Sequence, residues 1–194
     1  MWTNTAYPVR GMLDEVDPDR RLAPCALQHL LLGDDTIHTV ADVVDGVLAG
    51  AAFVRPGRAR VTLLVDPTPI RRAGVDIKDL VEAQLRERFD VERVCLDDGH
   101  AELHVVDPIL AEAATRSAGA DAVVALGGGT ISDIGKLAAR ARGRHEPAPA
   151  LVTVQTAASV DGYTDDVSVV LRDGVKRTVQ ARWPDAVIAD SVTI

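Results

Sequence analysis

At 194 residues the chain is long enough for one domain with a sizeable core. Its 47% hydrophobic and 26% charged residues are ordinary for a soluble globular protein, and only 3% aromatics leaves Ala, Val and Leu to build the interior, as in α/β layers. The net charge of −8 argues against nucleic acid or an anionic membrane as main partner. Cys25 and Cys95 stand in no metal spacing, no apolar run spans a bilayer, and Met1–Arg10 has no signal-peptide core. A cytoplasmic protein with reduced thiols is expected.

Residues 1–33 carry Pro8, Pro18 and Pro24 and resist assignment; Leu27–Leu32 fits a short strand or a helical turn. Residues 34–194 read as one α/β domain. Asp34 and Asp35 offer N-caps to a helix over Ile37–Phe53, where Val40, Val43, Val44, Val47 and Leu48 recur at helical spacing, and Pro56-Gly57 ends it. Arg60–Val65 reads as a strand, with Asp66-Pro67 at its carboxyl end. Asp76 caps a helix over Ile77–Phe89 that buries Leu80, Val81 and Leu85. Val91–Leu96 is a second strand, followed by a turn at Asp97-Asp98-Gly99. Asp107-Pro108 places a cap and a first-turn proline in the favoured order for a helix ending near Gly119.

The next stretch is the most informative. Ala122–Leu126 suits a strand buried on both faces of a parallel sheet. Gly127, Gly128 and Gly129 follow, and Ile131, Ile134, Leu137 and Ala138 then recur as on a helix. A strand, glycine turn and helix start bring bare backbone N–H groups to a helix N-terminus, where anions are favoured. The alternative is a tight turn with no ligand, and Ser132 replaces the third glycine of the usual dinucleotide fingerprint.

Gly143–Pro149 reads as a loop and Leu151–Val154 as the next strand. Val167–Leu171 and Val175–Val179 flank Asp173-Gly174, a type I′ hairpin signal, and Ala186–Ala189 is a last strand ending at Asp190. Alternating strands and helices imply a Rossmann-like parallel sheet with flanking helices, here with an inserted β-hairpin.

Ligands gather at the carboxyl ends of such strands. Those ends offer Asp66, the Gly127–Ser132 turn, Thr156-Ala-Ala-Ser-Val-Asp-Gly-Tyr163 and Asp190. Asp66 suits a ribose hydroxyl pair or a plain turn before proline. Thr156 and Ser159 suit a nucleotide or their own loop backbone, and Asp161 suits substrate hydroxyls or a turn. Asp190 reads as a metal ligand or a helix cap, and the cap is favoured from the residues alone. His100 and His104 have i, i+4 spacing, but Glu102 is misplaced for a zinc-protease pattern, so both read as loop or surface histidines.

Four motifs occur in one order: Gly127-Gly-Gly-Thr-Ile-x-Asp133-x-x-Lys136, Thr156-Ala-Ala-Ser-Val-Asp-Gly-Tyr-Thr164, Val175-Lys-Arg-Thr-Val-Gln180 and Pro184-Asp-Ala-Val-Ile-Ala-Asp190. Together they resemble the superfamily of iron-containing alcohol dehydrogenases, glycerol dehydrogenases and dehydroquinate synthases. The match is nearest to bacterial-type sn-glycerol-1-phosphate dehydrogenases. It is strong from about residue 120 onward and diffuse over 34–119.

The resemblance implies an NAD(P)-binding α/β domain over 34–194, without the family's C-terminal helical domain. It assigns Gly127, Gly128, Gly129, Thr130 and Ile131 to the pyrophosphate and Asp66 to the ribose. Asp133, Thr156, Ser159 and Asp165 join the cofactor contacts, while Asp161 and Asp190 bind substrate and act in catalysis. It also makes Asp190 a ligand of a divalent metal: zinc, nickel or iron.

The implied reaction is hydride transfer between NAD or NADP and dihydroxyacetone phosphate, giving sn-glycerol 1-phosphate, or a similar step on another polyol phosphate. Two residues depart from the pattern: Asp165 stands where serine is usual, and Gln155 replaces a proline. The family's metal-binding histidines lie downstream of the position matched by Asp190, whereas all five histidines here precede Asp161. The chain therefore reads as a nucleotide-binding half, inactive alone. Rival readings are a sugar-phosphate cyclase of the dehydroquinate synthase kind and a non-catalytic nucleotide-binding module. No membrane span or nucleic-acid partner is expected, and a homo-oligomer is left open.

Overall fold

The computed structural model describes residues 5–7, 9–22, 25–50, 57–140, 148–158 and 162–193. The expectations that fall on Phe53, Pro56, Ser159 and Asp161, and most of the Gly143–Pro149 loop, lie outside the described residues.

In chain order, β1 (Thr5–Tyr7), α1 (Val9–Val16) and β2 (His29–Gly33) precede a 3-10 turn (Thr36–Thr39) that runs into α2 (Val40–Gly50). β3 (Arg60–Val65) is followed by a small hairpin, β4 (Arg71–Arg72) and β5 (Val75–Asp76), then α3 (Ile77–Arg88) and β6 (Asp90–Cys95). α4 (Asp107–Arg116), β7 (Ala122–Gly127) and α5 (Gly129–Ala138) come next, and then β8 (Ala150–Gln155). The chain closes with β9 (Val167–Arg172), β10 (Val175–Gln180) and β11 (Ala186–Asp190).

Seven strands form one sheet in the order β1-β2-β11-β8-β7-β3-β6. All neighbours are parallel except the antiparallel edge pair β1–β2. Every residue of β7 is buried, as a central parallel strand covered on both faces requires. Alternate residues feed two cores. Val61, Leu63, Val124 and Val152 pack under α2 and α3, with Val44, Val81 and Leu85. Leu64, Val123, Ala125 and Leu151 pack on the other face with Ile109 of α4, Ile131 and Ile134 of α5, and Val170 of the hairpin. α5 lies so close to β7 that a Cβ on Gly135 would come 2.6 Å from Ala125 Cβ.

The β9–β10 hairpin forms as expected: Asp173 and Gly174 have φ of 52° and 72°, the left-handed pair of a type I′ turn. Asp76 caps α3 by accepting from Lys78 N at 2.8 Å, although Leu80 is only partly buried. One open reading is decided, in favour of the strand, and two others change. Residues 29–33 are a strand, paired with β11 and with β1, so residues 5–7 and 29–33 belong to the same sheet. The element after Asp35 starts as a 3-10 turn, and Asp35 has φ 63° with its carboxylate turned to Arg72 instead of capping. α4 is capped at Val106; Asp107 lies one residue inside, beside Pro108, and its carboxylate takes Arg172 at 3.2 Å.

Candidate functional site

After β3 the chain adds β6 on one side and then returns to place β7 on the other. Crossovers leaving in opposite directions open a crevice beyond the carboxyl ends of β3 and β7, the position where open α/β sheets take ligands. Asp66 follows β3 and Gly128 follows β7; Thr156 follows β8, and Asp190 ends β11. These four strands are consecutive neighbours, so their ends span about 15 Å at the usual strand spacing. The glycine turn and Asp190 share one edge of one sheet.

Each glycine at the turn has its own reason. A Cβ on Gly127 would come 2.8 Å from Ile131 Cγ1, so this residue lets the helix fold back over the strand end. Gly128 is different: a Cβ there would meet no protein atom within 4 Å, and its φ of −78° is open to any residue. Nothing within the described chain requires glycine at 128, which leaves its outer face bare for a ligand. No side chain caps α5, and the N–H groups of its first turn have no partner within the helix. Thr130 is partly exposed, whereas the Ile131 side chain is fully buried, leaving only its backbone to serve a ligand.

Asp66 is oriented from below by Lys78, a 2% exposed lysine on α3 whose Nζ donates to Asp66 O at 2.6 Å, to Asp66 Oδ1 at 3.3 Å and to Thr68 O. Thr68 N also donates to Oδ1, at 3.0 Å. One carboxylate oxygen is thus held by the protein, and no described contact takes the other. That geometry suits a ribose hydroxyl pair.

On the other flank, Thr156 N donates to Gly127 O at 3.2 Å, fixing the start of the β8–β9 loop beside the turn. Gln155, in register with Gly127, is buried; its Nε2 donates to Ser132 Oγ at 3.0 Å, and Ser132 Oγ donates to Gly128 O at 3.3 Å. The amide at the proline position therefore braces the underside of the glycine turn. Asp133 accepts from Val169 N at 3.1 Å and lies 3.4 Å from Lys136 Nζ. Burial pushes its carboxyl above the ordinary range, against the Val169 N–H and the Lys136 ammonium. Asp165 accepts from Lys136 Nζ at 2.7 Å.

Asp190 is fully buried and all its acceptor directions are used. Oδ2 takes Ile37 N at 3.0 Å and Arg72 Nη1 at 3.3 Å; Oδ1 takes Val192 N at 3.0 Å and Thr193 Oγ1 at 3.1 Å. The cap that Asp34 and Asp35 were expected to supply comes from across the sheet, from Asp190. A metal would have to displace an arginine and three neutral donors here. Among the described residues no group of three His, Cys, Asp or Glu side chains could hold a metal ion. As the described chain holds it, this carboxylate has no unused lone pair to offer a metal.

Sequence reading did not single out Arg72 and Lys78, and Lys136 entered it only as the last residue of the glycine motif, with no role assigned. A lysine at a core position of a helical pattern is the available signal, since a buried ammonium demands partners. Two open clefts lie away from the turn. One of about 240 Å³ is lined by Arg60, Glu92 and Arg116 at the opposite edge, and one of about 480 Å³ by Asp98, His104 and Leu171. The glycine turn is a strand-end surface that its backbone donors make a candidate site. No described helix is long and apolar enough to cross a membrane.

The model of the iron-containing alcohol dehydrogenase family matches residues 44–194. A glycerol-1-phosphate dehydrogenase [NAD(P)+] of Pyrococcus furiosus is 34% identical over 164 residues, covering 84% of this chain and 41% of its own length. One from Halalkalibacterium halodurans is 31% identical over 139 residues, 69% of this chain and 32% of the relative. Among solved structures, NADH-dependent butanol dehydrogenase A of Thermotoga maritima superposes with a TM-score of 0.67 at 19% identity, over 89% of this chain and 44% of that one. The chain spans 32–44% of the length of these relatives. With the family model matched from within α2 to residue 194 and a relative 34% identical over 84% of the chain, the chain belongs to the iron-containing alcohol dehydrogenase family.

Proposed function

We propose that this chain is the NAD(P)-binding half of an oxidoreductase that reduces dihydroxyacetone phosphate to sn-glycerol 1-phosphate or acts on a similar polyol phosphate. The observation that carries the reading is the bare Gly128 face at an uncapped helix start, one strand from a carboxylate with no described contact on one oxygen. The pyrophosphate sits on the N–H groups of Gly129–Ile131, where they and the helix dipole favour its charge. Asp66 accepts from the ribose. Thr156 and Ser159 complete the cofactor contacts, and Asp161 takes substrate hydroxyls. The nicotinamide supplies the hydride chemistry, and the protein aligns donor and acceptor. The names of the relatives support the substrate class.

No step is routed through a metal on Asp190, because its lone pairs are occupied by the chain itself. NADH fluorescence titration of the 194-residue chain tests the reading. Saturable binding that Gly128→Val weakens by about tenfold or more is expected, since the new side chain fills the anion's approach. Binding absent from the wild-type chain, or unchanged in Gly128→Val, would contradict it.

A further inference from the structure

We infer that buried Lys136 and partly exposed Asp165 form a clamp that holds the flanks of the β8–β9 loop beside the glycine turn, which makes Asp165 a positioning residue and not a cofactor ligand. Lys136 is fully buried in α5, so its ammonium must find charge and hydrogen-bond partners inside the protein. It finds them all in one short segment. Nζ donates to Asp165 Oδ1 at 2.7 Å and to the carbonyls of Gly162 and Val167, which accounts for its three protons. Asp133 Oδ1, one helical turn back, adds a second carboxylate at 3.4 Å.

The segment is fixed further by its own backbone. Val167 N donates to Asp165 Oδ1 at 3.2 Å, Val169 N to Asp133 Oδ2 at 3.1 Å, and Ser168 Oγ to Asp133 O at 3.2 Å. The other end of the loop is held where Thr156 N meets Gly127 O. Both flanks of the loop are therefore referred to one β7–α5 unit, whose turn offers the anion-binding N–H groups. A carboxylate at the 165 position would repel a pyrophosphate if it faced it unpaired. Paired with Lys136, it is turned to the hairpin side of α5 and its charge is matched.

The effect on affinity rests on the nucleotide-binding reading; the clamp itself rests on geometry alone. The test uses the 194-residue chain with Lys136→Met, Asp165→Ser and the isosteric Asp165→Asn, in case the larger changes fail to fold. Hydrogen exchange at the Val167 and Val169 amides is followed together with the NADH dissociation constant. In folded variants, exchange at both amides is expected to quicken by about tenfold and NADH affinity to fall by a similar factor. The double variant Lys136→Met/Asp165→Ser is expected to lose less than the sum of the two single losses. Unchanged exchange in Asp165→Asn and Lys136→Met would overturn the clamp. Faster exchange with unchanged NADH affinity would overturn its positioning role. If wild type binds no NADH while the variants still lose amide protection, the clamp stands and the nucleotide-binding reading falls.

Discussion

Asp66 and Asp190 occupy equivalent places, each at the carboxyl end of a parallel strand on the same sheet edge, yet the chain treats them in opposite ways. Asp190 is fully buried and its two oxygens take four donors, one of them the Arg72 guanidinium. Asp66 stands at the rim, with Oδ1 held by Lys78 and Thr68 and no described contact to its other oxygen. The difference teaches that a strand-end carboxylate becomes a ligand only where the protein leaves lone pairs unused. Where neighbouring elements supply every donor, the same residue ties the fold together: Asp190 joins the 3-10 turn, the β4–β5 hairpin and the turn after β11.

The sharpest way to break this comparison is to remove each carboxylate. Asp190→Ala leaves the Ile37 N–H without its acceptor and Arg72 with Asp35 alone, and a loss of about 3 kcal/mol is expected in urea unfolding, the low end of the range for breaking a buried ion pair. Asp66→Asn should cost about 1 kcal/mol, because Lys78 keeps the carbonyls of Asp66 and Thr68. Equal losses would erase the distinction. Added zinc or iron should leave the unfolding midpoint of the wild-type chain unchanged, whereas an ion held by the native state would raise it.

Next in size is a contrast within the glycines. Gly135→Ala forces a methyl onto Ala125 and should destabilise by about 1–3 kcal/mol. Gly128→Ala, facing open space, should change stability by less than about 0.5 kcal/mol. Thermal unfolding of the two variants side by side checks this.

Asp66→Asn should then weaken NADH by about tenfold, as expected for one charge-assisted hydrogen bond, in a titration at fixed ionic strength.

The smallest effect concerns the loop after β6. Burial works against the charge on Asp98, but the His104 ring at 2.8 Å and the N–H groups of His100 and His104 outweigh it and hold the carboxyl below its ordinary range. A depressed carboxyl contributes stability above its unfolded pKa of about 3.9 and loses it as pH falls through the lower folded value. Acid titration of Asp98→Asn against wild type should show the difference between them shrinking across that window. A constant difference at every pH would remove Asp98 from the account.

The chain's periodic stretches were legible because burial writes itself into spacing. The continuous apolar run of β7, the Asp76 cap and the Asp173-Gly174 turn each rest on neighbours in sequence, and each formed as read. What could not be read depended on partners far along the chain. Residues 29–33 became a strand because β11 lies beside them; Asp190, legible as a cap of the turn that follows it, also takes Ile37 N, 153 positions away in sequence. Spacing likewise identifies Lys136 as part of a helix but says nothing of the loop carbonyls it gathers. At the site, the glycine turn and Asp66 could be placed on one edge from strand order alone. Which of their oxygens and N–H groups stay unused required coordinates.

The most direct test of the nucleotide edge is an amide NMR titration of the chain with NADH. The account predicts saturable shifts confined to Asp66–Thr68, Gly127–Ser132 and Gln155–Thr156, all lost in Gly128→Val. Shifts centred instead on Arg60, Glu92 and Arg116 at the opposite edge, or none at the glycine turn, would contradict it.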